Sequence, residues 1–455
     1  MNNRNRYPTI AGSESQQTPF GVRTLKASLG SENRIYPVPG TNYALDRFDP
    51  EKIKTEFSVF DNIESKFHYL DSAATSQVPD CVVETMVNQL QTHRANVKRG
   101  IYKMAVDASE SYERARQRVA AYLGAADESE VIFTSGTTSG INMLAYSLIE
   151  GFAPGDEILV SQLEHHSNIV PWQIVGQKNG IRIKYLPVMD DGRLNLNRLE
   201  EFITEKTRLL AITHGSNVTG AITNVPYLAE VAHYYGCKLM LDGAQMAAQG
   251  PLDLLELDAD YYVFSGHKVY GPTGIGVLWA KKSLLETLPP AFGGGEMITH
   301  VNLEGSEYAP PPHRFEAGTP PITQAIGLAQ ALDWLCIQDL DGLHQHLIHL
   351  TEKIITGLKH LNDRQHAVKV IGPVSGHPRL PLVAFTIEGI HPHDICQILN
   401  DRHGVATRGG NHCAQPLHDS LGLEGSVRVS LAAFNSEQDV DALLNGVEDC
   451  MAKLG

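Results

Sequence analysis

The chain has 455 residues, 42% of them hydrophobic and 20% charged, and a formal net charge of −15. This is the balance of a globular chain with ample core material, and its acidity argues against nucleic acid as a partner. No apolar run approaches the roughly 20 residues that a membrane span needs, and six scattered cysteines without a CxxC pair give neither a zinc spacing nor a disulfide framework.

In chain order, the first stretch stands apart. Met1 to Arg34 carries five basic residues against two acidic ones and is rich in polar residues, glycine and proline, with no periodicity. Such a segment buries little apolar surface, so residues 1–50 are expected to form a disordered extension. Residues 1–45 are a candidate docking peptide for a partner. No apolar stretch follows the N-terminal arginines, so a reducing cytoplasm is expected unless the extension directs the chain to another compartment or partner. Residues 51–69 are expected to pack with the C-terminal domain.

Beyond them, helical patterns and short apolar runs alternate. "VVETMVNQLQTHRANV" and "SYERARQRVAAYLG" read as helices, the second closed by a glycine suited to a C-cap. "EVIFTSG", "DEILVSQ", "IRIKYLPV", "TRLLAITHGS", "KLMLDGAQ" and "DYYVFSG" read as strands, and "SGINMLAYSLI" as a helix. That alternation predicts an α/β fold with a mainly parallel sheet and helices on both faces. Proline and glycine then gather in "LPPAFGGGEM" and "YAPPPHRFEAGTPP". Helices at "ITQAIGLAQALDWLCI" and "LHQHLIHLTEKIITGLKHL" and apolar runs at "PLVAFTI" and "SVRVSLAAF" follow. The division expected is a large domain over residues 70–320 and a smaller α+β domain over residues 321–455.

In open parallel sheets, ligands sit outside the C-terminal ends of the strands, and there the polar residues fall. Thr134-Ser135-Gly136-Thr137-Thr138-Ser139-Gly140 leads into a helix and offers N–H groups and hydroxyls to a phosphate, although alone it also reads as an ordinary capped turn. Glu164-His165-His166 follows a second strand, and Asp242 ends a third. A carboxylate there requires a cationic partner, because burying a bare charge is costly. Lys268 closes a fourth run, after Ser265 and His267. One ligand accounts for all four ends. Pyridoxal 5′-phosphate (PLP) has a phosphate for the threonines, a flat ring for His165 and a ring nitrogen for Asp242. Its aldehyde can bond to Lys268, whose pKa burial would lower.

These residues resemble the class V branch of fold-type I PLP enzymes, most closely the type II (SUF-type) cysteine desulfurases and selenocysteine lyases. The resemblance rests on "YLDSAATSQVP", "GTTSGIN", "LEHHSNIVPWQ", "SNVTG", "LDGAQ", "SGHKVYGPTGIG", "RFEAGTP", "RGGNHCAQP" and "RVSLAAFN", in that order, across roughly residues 55 to 450. It implies that Lys268 holds PLP and moves the substrate Cα proton, that His165 stacks on the ring, and that Asp242 and Gln245 contact its nitrogen and phenolic oxygen. Thr137, Thr138, Ser265 and His267 would bind the phosphate. Thr319 would reach the phosphate of a neighbouring subunit, which implies a homodimer. Asn217 and Arg428 would hold the substrate carboxylate, with Arg408 on the active-site loop. Cys413 would be the nucleophile that takes sulfur from L-cysteine and passes it to an acceptor protein, its thiolate helped by His412 and Arg408 as basic neighbours. No metal is implied. The short separation between Cys413 and Arg428 fits the type II pattern. Lys98 and Tyr102 stand where histidines are expected, as does Asn411. Three alternatives stay open at this point. They are a selenocysteine lyase acting on L-selenocysteine, a class V epimerase or β-lyase that ignores Cys413, and an idle scaffold.

Overall fold

A computed structural model describes residues 48–63, 67–98, 100–361, 367–374 and 377–454. The candidate docking peptide, residues 1–45, lies outside the described residues.

Seven strands form the central sheet, in the spatial order Val131–Thr134, Gly276–Ala280, Tyr261–Ser265, Lys238–Asp242, Thr207–Thr213, Glu157–Ser161, Arg182–Leu186. Gly276–Ala280 runs antiparallel to both of its neighbours. Every other pairing in the sheet is parallel. The glycine-punctuated run after Lys268 is that reversed strand.

Alternate residues of each strand supply two different cores. Ile158, Val160, Leu209, Ala211 and Met240 pack on one face with Ile141, Leu144, Trp172 and Val175 from the helices Thr137–Leu148 and Val170–Asn179. Leu159, Leu210, Ile212, Leu239 and Leu241 pack on the other. There they share a core with Tyr112, Val119, Leu228 and Leu328 of the helices Lys103–Tyr122, Val225–Tyr234 and Ile322–Cys336. Burial of both faces is why these strands read as continuous apolar runs rather than alternating ones.

A second sheet has four antiparallel strands, ordered Val368–Ile371, Leu382–Ile387, Ser426–Ser430, Arg408–Gly410. Its core is filled from the helices Leu340–Leu361, Pro392–His403 and Glu437–Leu454. The last two helices, the short strand Arg408–Gly410 and a hairpin of Ile298–Val301 with Ser306–Tyr308 have no counterpart in the sequence reading. Register sets Arg408 directly opposite Arg428 on neighbouring strands.

The N-terminal described segment ties these parts together. Asp49 caps the helix Pro50–Lys54, its side chain accepting from the Glu51 and Lys52 N–H groups. Phe57 packs edge-on against Trp334 and Phe434, with ring centroids 5.4 and 5.1 Å away. His68–Tyr69 pairs in parallel with Val405–Ala406, and Asp71 then bridges to Ser430. That path delivers Asp71 to the sheet that carries both arginines. Among the described residues, no helix is long and apolar enough to cross a membrane.

Candidate active site

The C-terminal strand ends open into a cavity of about 240 Å³. Lining it are Thr137, Thr138, His165, Asn217, Asp242, Gln245, Ser265, His267, Lys268, Arg408, Cys413 and Arg428, so the structure gathers every predicted site residue except Thr319. Thr319 is exposed on its own chain. Just before it, Glu316 is buried and accepts from Arg116 at 2.7 and 2.9 Å and from the Phe133 N–H at 2.9 Å. Lys98 lies 3.9 Å from the same carboxylate.

One end of the cavity suits an anion. Gly136, with φ +150°, turns the chain from the strand Val131–Thr134 into the helix Thr137–Leu148, which has no side-chain cap. The Thr137 N–H donates to Ser265 Oγ at 2.8 Å, the two hydroxyls lie 2.7 Å apart, and Thr138 Oγ1 is 2.6 Å from Ser167 Oγ. Gly276 makes this turn possible, since a Cβ there would sit 2.5 Å from Gly136 Cα and 2.7 Å from the Phe264 carbonyl. Uncapped N–H groups, hydroxyls and a positive dipole end converge here.

Beside it stand the ionisable groups. Burial pushes the Lys268 ammonium down to about 8, against the opposing pull of Asp242. Asp242 is buried and its pKa is raised by that burial; among the described residues its side chain accepts one hydrogen bond, from the Ala244 N–H at 3.0 Å, and forms no ion pair. The Lys268 charge opposes that burial from within the same cavity without forming an ion pair. His165 is pushed down to about 3 by burial and then by the nearby Lys268 charge, so its ring is neutral. Its Nδ1 accepts from the Ser167 N–H at 3.1 Å, which fixes the ring at the cavity wall. Gln245 donates to the Ala73 carbonyl at 2.8 Å. Below these, Glu164 is fully buried and pushed up to about 8 by desolvation; it accepts from Ser161, Asn168 and the Thr213 N–H and so braces the strand ends.

The arginines have a partner that sequence reasoning missed. Arg428 donates through Nη2 to Asp71 Oδ1 at 3.0 Å and through Nη1 to the Asn217 carbonyl at 3.0 Å. Arg408 donates through Nε to Asp71 Oδ2 at 3.2 Å. Like charges directly opposite across a ladder repel, and one carboxylate between them offsets that. Among the described residues, the buried Nε–H of Arg428 has no partner. Asp71 was visible as the one charged residue in "YLDSAATSQVP", but nothing nearby in sequence marks its role.

Cys413 is exposed at the cavity mouth. Here one expectation needs correction. His412 is not a basic neighbour: it is buried, its Nε2 lies 3.0 Å from the Ser426 carbonyl, and burial followed by the Arg428 charge pushes it down to about 2. Arg408 is the cationic side chain that shares the cavity mouth with Cys413.

The family model described as aminotransferase class-V matches residues 68–443. A probable cysteine desulfurase of Halobacterium salinarum is 40% identical over 405 residues, spanning 88% of this chain and 96% of its own. A cysteine desulfurase of Escherichia coli O157:H7 is 39% identical over 412 residues, spanning 90% of this chain and 100% of its own. Among solved structures, the cysteine desulfurase CsdA (S-sulfonic acid) from Escherichia coli superposes with a TM-score of 0.81 at 37% identity, covering 90% of this chain and 100% of that one.

Proposed function

Since the chain belongs to the aminotransferase class-V family, we propose that it is a PLP-dependent cysteine desulfurase, converting L-cysteine to L-alanine with the sulfur carried as a persulfide on Cys413. One observation carries the reading: a single cavity is lined by a buried lysine of lowered pKa, a buried carboxylate that forms no ion pair among the described residues, and an exposed cysteine.

The donor set fits the cofactor. Thr137, Thr138, Ser265 and His267 surround the anion end, Asp242 faces the place for a protonated ring nitrogen, and Gln245 and neutral His165 line the remaining walls. When bound, PLP supplies an electron sink for charge developing at the substrate Cα. Lys268 is the residue that would hold its aldehyde. With a pKa of about 8, Lys268 Nζ can also accept and return the Cα proton near neutral pH. Arg428, its guanidinium fixed by Asp71 and the Asn217 carbonyl, would hold the substrate carboxylate with Asn217 beside it.

Cys413 Sγ then takes the sulfur. The substrate C–S bond breaks and an S–S bond forms. Protein thiol plus L-cysteine gives protein persulfide plus L-alanine, with no outside oxidant. An exposed turn leaves the persulfide open to an acceptor protein. Thr319, exposed and three residues after the buried Glu316, would reach the phosphate of a second subunit in a homodimer. The test is mass spectrometry of the Cys413 peptide after one equivalent of L-cysteine. One added sulfur on that peptide alone is expected; sulfur released as free sulfide with Cys413 unmodified would point to a β-lyase instead.

A further inference from the structure

Cys413 sits in a turn that its own backbone does not favour. His412 and Cys413 both hold left-handed conformations, with φ +50° and +56°. Neither is glycine, and a left-handed conformation is unfavourable for such residues, so the turn persists only where its surroundings over-determine it. Those surroundings are specific. Asn217 Nδ2 donates to the His412 carbonyl at 2.8 Å, and the His412 ring is tied to Ser426. The Ala414 N–H closes the turn onto the Asn411 carbonyl at 2.8 Å, and two further bonds involve His166. Its backbone N–H donates to the Cys413 carbonyl at 2.7 Å, and its Nε2 accepts from the Gln415 N–H at 3.1 Å. His166 therefore brackets the cysteine, and it directly follows His165 on the cavity wall.

We propose that His166 is a positioning residue for the sulfur-transfer step, holding the turn of Cys413 in register with the cofactor wall through its side chain. This rests on Cys413 being the nucleophile. The backbone bond survives any substitution, whereas the side-chain bond is lost when the acceptor nitrogen is removed. Relaxation of the strained turn then misplaces Sγ, and a shift of about 1 Å can cost on the order of 100-fold in rate.

The experiment compares PLP-loaded wild type, H166F, H166Q and C413A, each with L-cysteine. The glutamine carries an amide oxygen that can accept the Gln415 N–H. Three readouts are taken: kcat and KM for alanine release, exchange of the L-alanine Cα hydrogen in heavy water, and deuterium uptake at the Gln415 amide. Cα exchange needs Lys268 and the cofactor but not Cys413. H166F is expected to lower kcat about 10- to 100-fold, leave KM within about threefold, and leave Cα exchange unchanged. It should also speed uptake at the Gln415 amide, with H166Q restoring most of both. If H166F does not accumulate as folded protein, H166A takes its place with the same expectations. Wild-type kcat in H166F, or Cα exchange falling in step with kcat, overturns the positioning role. Should C413A keep wild-type alanine release, the nucleophile reading fails and takes this proposal with it; an inactive C413A beside a wild-type H166F sinks the positioning role alone.

Discussion

At the scale of single residues, the site is organised by charges that only make sense together. Arg428 is buried, so its guanidinium depends on Asp71 for its only ion pair among the described residues. Removing one partner of such a pair leaves a buried charge uncompensated. D71N is therefore expected to destabilise the fold by about 3 kcal/mol, read from the urea midpoint. Arg408 is about half exposed, at 49%, and screened by water, so R408A should cost under about 1 kcal/mol. Equal losses for the two variants would contradict this division of roles. Lys268 gives a second prediction, with its sign fixed by chemistry. The neutral amine attaches to an aldehyde, and burial lowers the pKa from 10.5 to about 8. PLP uptake by the apoprotein should climb as pH rises through 8 and then level off; a rate still climbing toward 10.5 would mean an ordinary solvated lysine. Much of this residue chemistry was legible in the sequence. Lys268, Asp242 and His165 each follow an apolar run buried on both faces, so the polar residue that ends it stands out. Asp71 was not legible, because its partners lie 337 and 357 residues away. Nor was the neutrality of His412, which depends on a ring turned inward from a left-handed backbone.

At the scale of elements, the reversed strand Gly276–Ala280 holds the anion end open. It lies between Val131–Thr134 and Tyr261–Ser265, and Gly276 pairs with both Thr134 and Ser265. G276A would push a methyl into the Gly136 turn, so about 1–3 kcal/mol of stability should be lost. PLP retention should weaken about tenfold or more, measured by equilibrium dialysis. Retention unchanged from wild type would show that the turn can move aside. Parallel strands were readable because both of their faces are buried. Arg408–Gly410 was not, since it has three residues, two of them glycine, and owes its pairing to Ser426–Ser430. The helix Pro392–His403 buries only Ile395 and Leu399 among many polar residues, which dilutes its periodicity. Glu437–Leu454 instead carries a regular apolar stripe of Val440, Leu443, Val447, Cys450 and Met451 that the sequence reading passed over.

At the scale of the whole molecule, the cavity is built from distant parts. The central sheet supplies Lys268, Asp242, His165 and the anion turn, the four-stranded sheet supplies Arg408 and Arg428, and the segment around Asp71 joins the two sets. Cys413 lies on the connection between the two arginine strands and lines the same cavity as Lys268. If the proposed function holds, Lys268 moves the proton and Cys413 accepts the sulfur in one turnover. The most direct test is alanine released from L-cysteine by wild type and by C413A, with PLP content measured in each. The account predicts alanine from the wild type, almost none from C413A, and full PLP loading in both; equal alanine from the two would contradict it.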